Sequence, residues 1–129
     1  MIATTSSAGR WLAAVLFFLF TASAVSSPYK VLVVMSYEED NPWCQEIREG
    51  IDSVLAESSD ITYFYMDTKV RFAGGEERAA AAYDLYLQLE PDGVITADDN
   101  AQWMFVLPYL QGKVNTPVMF CGVNAEAEK

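Results

Sequence analysis

Four short apolar segments divide the chain, and connections of about 20 residues or more separate them. Each segment is rich in β-branched or aromatic residues with little polar alternation, a pattern typical of strands buried on both faces of a parallel sheet. The strands are predicted over residues 30–36, 61–66, 94–96 and 117–121. Pro117 is compatible with the last of them, because a strand tolerates proline at its first position.

The first two connections show helical periodicity. In the first, Asn41 and Pro42 suit an N-cap and a first helical position, and apolar residues then recur at helical spacing. Gly50, in the middle of this helix, predicts a close approach to the sheet. The second helix is predicted over residues 76–89, and its core-facing stripe consists of Ala79, Ala82, Tyr83, Tyr86 and Leu89.

The third connection predicts a shorter helix. Asp99 and Asn100 can cap it, and Pro108 is expected to end or kink it after about Leu107. The elements therefore alternate as β-α-β-α-β-α-β. Because helical crossovers of this length join parallel strands, the predicted fold is α/β, an open parallel sheet in the order 2-1-3-4 with helices on both faces.

The amino-terminal segment has a different character. Arg10 is its only charged residue, and an unbroken apolar run over residues 11–20 is followed by small residues up to Ala24. This order matches a secretory signal peptide, whereas a membrane-spanning helix needs about 20 apolar residues. Residues 1–24 are therefore predicted to be a signal peptide, with an uncleaved anchor as the alternative, and residues 25–129 one exported domain.

Composition and charge remove several classes of function. The chain has 8 Lys and Arg against 18 Asp and Glu, a net charge of −10, and no histidine. Nucleic acid is disfavoured as a partner, because binding it needs a basic surface. A Ser-His-Asp triad and a histidine-containing zinc site are impossible without histidine. Since no phosphate-binding loop or activated nucleophile is present either, the sequence predicts neither an enzyme nor a cofactor or metal site.

The two cysteines are predicted to stay unpaired. Cys44 lies at a helix start, where the helix dipole is expected to lower the pKa of its thiol, and Cys121 closes the fourth strand. In a sheet ordered 2-1-3-4 a whole strand lies between them. Two strand spacings of about 4.8 Å exceed the Cα separation of about 7 Å that a disulfide allows.

Polar side chains follow the carboxyl ends of the predicted strands, where open α/β sheets bind ligands. Asp98 and Asp99 can hold Mg²⁺ or bind an amine, but one of them can equally cap the next helix while the other is solvated. Asn100 and Asn124 can hydrogen-bond a small ligand or serve as ordinary cap and turn residues. A hydrolase that uses one of the two aspartates is a further alternative.

Aromatic residues flank the loop that follows the first strand. Tyr37 and Trp43 can form the aromatic wall of a pocket, although Trp43 in the first helical turn can instead cover the core. The acidic residues 38–40 between them are interpreted as a solvated loop. The strand ends as a set are acidic and favour a neutral or cationic solute.

Several motifs taken together resemble one protein family. Residues 36–43 and 49–51 are similar to its "SY…PW…GI" opening, and residues 66–69 to the "LDTK" that closes its second strand. Residues 98–101 and 117–124 are similar to its "DDNA…PVVFCGVN" block. The family is that of the ABC-transporter substrate-binding proteins of the type I periplasmic-binding fold. The same fold also occurs as the extracytoplasmic sensor half of membrane histidine kinases and diguanylate cyclases.

This resemblance implies a periplasmic, two-lobed receptor that closes on a small solute by hinge motion. The implied partner is an ABC permease, and the alternative is the transmembrane module of a sensor kinase or cyclase. Because the chain ends soon after the fourth strand, residues 25–129 are expected to be an incomplete amino-terminal lobe. The residues implied to line its side of the cleft are Ser36, Tyr37, Trp43, Asp99, Asn100 and Asn124.

Overall fold

The computed structural model describes residues 28–124, so the predicted signal peptide lies outside the described residues. Its four strands form one sheet in the order β2-β1-β3-β4, and every neighbouring pair is parallel. The predicted α/β class, strand order and parallel direction are confirmed. The strands are β1 (Tyr29–Met35), β2 (Ser59–Tyr65), β3 (Gly93–Ala97) and β4 (Val118–Cys121).

The helices occupy the three crossovers, as the periodicity predicts. Asn41 caps the first helix, because its side-chain oxygen accepts a hydrogen bond from the Trp43 backbone nitrogen at 3.0 Å, and Pro42 is the first helical residue. In the described part of the chain no helix is long and apolar enough to cross a membrane. The helices are α1 (Pro42–Leu55), α2 (Gly75–Leu89) and α3 (Asp99–Ala101), which continues directly as a π-helix (Gln102–Leu110).

Both faces of the sheet are covered. On one face α1 packs over alternate residues of β1, and Val33, Met35 and Cys44 are fully buried there. On the other face α2 and the π-helix enclose a larger core. Phe105 is the largest fully buried side chain of that core. Covered faces explain why the strands are apolar almost without alternation.

The third helix differs from its prediction. Pro108 does not end it, because the π-helix includes Pro108 and ends at Leu110. Its wide turns are closed by bonds over five residues, such as the 2.9 Å bond from the Gln111 nitrogen to the Val106 oxygen. Proline removes only one backbone donor, while the buried Phe105 and Leu110 hold the helix on the sheet.

Close approaches of the backbone occur at other glycines than the one predicted. A Cβ on Gly50 would meet nothing within 4 Å, so the predicted approach to the sheet is wrong. A Cβ on Gly75 would overlap the sulfur of Met104, and one on Gly122 would lie 2.5 Å from the Trp43 ring. Both tight glycines lie near the carboxyl edge of the sheet.

Candidate functional site

Asp98, directly after β3, has a backbone conformation that L-residues rarely adopt. Its φ of 75° and ψ of 165° fall in a region that is essentially restricted to glycine, where a side chain costs about 1–3 kcal/mol. Asp67, two residues after the end of β2, also has a positive φ, of 57°. Strain of this kind concentrates at functional sites, and the carboxyl edge of a parallel sheet is the expected place for one.

A set of hydrogen bonds holds Asp98 in this conformation. Its backbone nitrogen donates to the Cys121 oxygen at 3.0 Å, which ties it to β4. Its carboxylate accepts a 2.8 Å bond from the Tyr37 hydroxyl and a longer one, 3.4 Å, from the Asn100 nitrogen. Asp98 is therefore the aspartate that caps α3, and it is only 6% exposed.

Ser36, at the end of β1, lies beneath the edge rather than on it. It is fully buried, and its hydroxyl donates to the Ala97 oxygen at 2.7 Å while it accepts from the Ala101 nitrogen at 2.8 Å. The hydroxyl thus joins β1, the end of β3 and the start of α3. Its position within the site is structural, because no part of the side chain reaches the surface.

Thr68 extends this buried network to Asn100. Its hydroxyl donates to the backbone oxygen of Ser36 at 2.6 Å and accepts from the Asn100 side-chain nitrogen at 2.9 Å. The Thr68 backbone nitrogen donates to the same Ser36 oxygen at 2.9 Å. Asn100 is half-buried, and the hydrogen bond to Thr68 fixes the nitrogen end of its amide on the buried side.

Aromatic rings form one side of the edge. The rings of Tyr37 and Trp43 are tilted against each other with centroids 5.6 Å apart, and the Lys69 ammonium lies 4.8 Å from the Tyr37 ring centroid. Burial and the hydrogen bond to Asp98 raise the pKa of Tyr37 to about 12. Tyr37 therefore stays protonated and remains a hydrogen-bond donor to Asp98 across the physiological range.

Asp99 and Asn124 complete the edge. The Asn124 backbone nitrogen donates to the Asp99 carboxylate at 3.1 Å, which joins the loop after β4 to the start of α3. Asp99 is half-buried and Asn124 is exposed. Both are in place to contact a molecule that approaches the edge from solvent.

The structure therefore gathers the predicted binding residues at one edge of the sheet, with Ser36 below the surface. Sequence reasoning did not assign Thr68 or Lys69 to the site, although both belong to the family-like residues 66–69. Position at the end of β2 was the available signal for Thr68. Its role depends on Ser36 and Asn100, each 32 positions away in sequence, which no local pattern reveals.

The cysteines lie beside this edge as free thiols. Cys44 is buried and Cys121 is half-buried, and the predicted absence of a disulfide between them is confirmed. The predicted lowering of the Cys44 pKa is wrong. Burial raises the pKa of its thiol, because desolvation of the thiolate outweighs the opposing effect of a hydrogen bond with the Tyr37 backbone.

A groove of about 540 Å³ lies away from this edge, between the start of α2 and the outer side of the π-helix. Its lining includes Glu76, Trp103 and Leu107 and none of the predicted binding residues. Over residues 28–124, no group of three or more Cys, Asp or Glu side chains is arranged to hold a metal ion.

Comparisons with known proteins leave the interpretation to this geometry. No protein-family model matches the chain, and no curated protein or solved structure matches it significantly. The α/β fold and the hydrogen-bonded edge around Asp98 are therefore the observations from which a function has to be argued.

Proposed function

We propose that this chain is a solute-binding lobe, which holds a small molecule at the carboxyl edge of its sheet. In this proposal the solute contacts Tyr37, Trp43, Asp99, Asn100 and Asn124. The lobe belongs to an exported receptor of the type I periplasmic-binding fold that delivers its solute to an ABC permease. The observation that carries the proposal is the strained backbone of Asp98, which is held by hydrogen bonds to Tyr37, Asn100 and Cys121.

The strain supports a binding role, because an ordinary solvated loop would gain stability by having a residue without backbone strain at this position. A glycine at position 98 would remove a cost of about 1–3 kcal/mol, yet the chain has an aspartate there. The aspartate fixes Tyr37 through its carboxylate and Asn100 through the capping bond. Side chains held in this way by rigid strands form a preorganised surface, which is what a specific binding site requires.

The chemistry of the edge favours binding over catalysis. Tyr37 and Trp43 offer ring surface, while Asp99 and Asn100 offer oxygen acceptors. The Asp98 carboxylate already accepts hydrogen bonds from Tyr37 and the α3 backbone. A hydrolase that uses Asp98 as a base has less support, because a base has to accept its proton from the reacting group.

Export and transport rest on the sequence. The signal-peptide pattern of residues 1–24 and the family-like blocks support a periplasmic receptor. The strand order 2-1-3-4 is compatible with a lobe of this fold. The second lobe and the permease are partners that the proposal requires.

The test is a solute screen on the full chain. A panel of amino acids, amines, sugars and carboxylates is titrated while the backbone and side-chain amide NMR signals are followed. The expected result is a solute that shifts the signals of Trp43, Asn100 and Asn124. Asn100→Ala should weaken its binding about tenfold or more, which corresponds to about 1.4 kcal/mol.

Asn115→Ala is the matched control, because Asn115 is an exposed asparagine in the connection before β4, away from the carboxyl edge. It should leave the affinity unchanged. The proposal is wrong if no solute in the panel shifts the edge residues, or if the shifts are confined to the groove beside the π-helix.

A further inference from the structure

We infer that Thr68 is a positioning residue that sets which end of the Asn100 amide faces the solute, so that the site recognises a hydrogen-bond donor, above all a protonated amine. The inference rests on the proposed function and specifies the chemistry of its solute. It starts from two short hydrogen bonds under the carboxyl edge.

The first step concerns the single hydroxyl hydrogen of Thr68. The Thr68 oxygen lies 2.6 Å from the Ser36 backbone oxygen, and the contact is buried. A carbonyl oxygen can only accept, so Thr68 has to be the donor in this bond. Thr68 is 3% exposed, and water therefore offers its hydrogen no competing partner.

The second step concerns the amide of Asn100. With its hydrogen committed to Ser36, the Thr68 oxygen can only accept, and the Asn100 atom 2.9 Å away has to be the NH₂ nitrogen. The opposite amide orientation would place two acceptor oxygens against each other. Thr68 thus determines an orientation that the shape of an amide alone leaves ambiguous.

The third step concerns the other end of the amide. Within residues 28–124, no group donates a hydrogen bond to the Asn100 side-chain oxygen. The same residues contain no buried side-chain nitrogen or oxygen without a partner, so this oxygen is in contact with solvent. Asn100 therefore presents a fixed acceptor at the surface of the edge.

Charge at the edge points the same way. The Asp99 carboxylate lies next in sequence to Asn100 and is half-buried. The Lys69 ammonium lies over the ring of Tyr37, 4.8 Å from its centroid. Acceptor oxygens on Asp99 and Asn100 favour a solute group that carries N–H or O–H donors, and they disfavour a carboxylate.

The experiment uses the full chain and two probes of similar size and opposite polarity, benzylammonium and benzoate. Without any probe, a nuclear Overhauser effect is expected between the Asn100 NH₂ protons and the Thr68 methyl group. With probes, shifts of the Trp43 and Asn100 signals should show benzylammonium binding about tenfold or more tightly than benzoate.

Thr68→Val removes the hydroxyl at nearly constant shape, and it should reduce the preference for benzylammonium several-fold. Thr68→Ser keeps the hydroxyl and should retain the preference. Thr62→Val, on β2, is the matched control and should also retain it. Because Asp99 and Lys69 are present in every variant, their charges cannot produce the difference.

Two results separate the inference from the proposed function. The inference is overturned, and the binding site stands, if both probes bind at the edge but Thr68→Val keeps the wild-type preference. The same holds if the nuclear Overhauser effect between the Asn100 NH₂ protons and the Thr68 methyl group is absent without a probe. If neither probe shifts the edge signals at about 10 mM, where even weak fragments bind, the inference is overturned, and the solute screen described above decides the proposed function separately.

Discussion

At the scale of single residues, fold stability and site geometry have different requirements at Asp98. Its backbone strain opposes folding, whereas its carboxylate holds Tyr37 and the start of α3. A hydrogen bond to a charged group contributes about 1.5–3 kcal/mol, which is similar to the strain. The two effects nearly cancel, so this residue can be kept for its geometry at little net cost in stability.

Two substitutions at position 98 separate these effects. Asp98→Gly loses the carboxylate but relieves the backbone strain, whereas Asp98→Ala loses the carboxylate and keeps the strain. Asp98→Ala should therefore have a free energy of unfolding about 1–3 kcal/mol lower than Asp98→Gly. Urea denaturation of both variants measures the difference. Equal stability of the two would mean that position 98 carries no strain.

The raised pKa of Tyr37 predicts a loss of stability at alkaline pH. Burial and the bond to Asp98 raise this pKa from 10.0 to about 12, so folding favours the protonated hydroxyl. The contribution of the protonated Tyr37 hydroxyl to the stability of the fold is complete below pH 10 and is lost as the pH rises through 12. Thermal unfolding from pH 9 to 12 should show a smaller decline in melting temperature for Tyr37→Phe than for the wild type.

Tyr29→Phe is the control for this titration, because Tyr29 is 64% exposed on the first residue of β1. It should follow the wild-type pH profile. A Tyr37→Phe profile parallel to that of the wild type would contradict the predicted role of this hydroxyl.

At the scale of elements, the end of β4 and the first turn of α1 meet without room for a side chain. Gly122 has a φ of 64°, and a Cβ there would lie 2.5 Å from the Trp43 ring. Asn41 and Pro42 set where α1 begins, so they also determine where this ring lies. The aromatic wall of the site is therefore positioned by a helix cap and by the absence of a side chain on Gly122, directly after β4.

Gly122→Ala tests this contact against a matched glycine. Gly112→Ala introduces the same strain, because Gly112 has a φ of 68°, but its Cβ would meet nothing within 4 Å. Gly122→Ala should lower the free energy of unfolding by about 1–3 kcal/mol more than Gly112→Ala, because it also displaces a packed ring. Chemical denaturation gives the energies, and the indole NMR signal of Trp43 should move only in Gly122→Ala. An equal loss of unfolding free energy in the two variants would mean that the Trp43 ring does not pack against Gly122.

At the scale of the whole molecule, β4 forms one of the two edges of the sheet described over residues 28–124. In the described residues it pairs with β3 alone, and Met119 and Phe120 are 69% and 61% exposed on its opposite faces. An apolar edge strand without a charged side chain promotes association with other chains. The net charge of −10 opposes that association at low salt.

A charge placed on this edge should therefore reduce self-association. Phe120→Lys is expected to lower the weight-average mass measured by analytical ultracentrifugation at high salt, where the repulsion is screened. Leu87→Lys is the control, because Leu87 is 54% exposed but lies on α2. The same decrease in both variants, or none in Phe120→Lys, would show that β4 is not the associating surface.

Much of the architecture was predictable because it depends on local patterns. The apolar runs located all four strands within about two residues, and the alanine and tyrosine stripe located α2. Crossover length determined the parallel direction. The edge positions of Tyr37, Asp99 and Asn124 followed from strand order, because carboxyl ends of parallel strands share one edge.

What the sequence alone determined is thus the fold class, the order of elements and the edge at which polar residues gather. The tertiary structure alone decided that Ser36 is buried, that Thr68 orients Asn100 and that burial raises the Cys44 pKa. The same holds for the π-helix that includes Pro108. Periodicity acts between neighbours along the chain, whereas these features depend on contacts between residues far apart in sequence, which exist only once the sheet has formed.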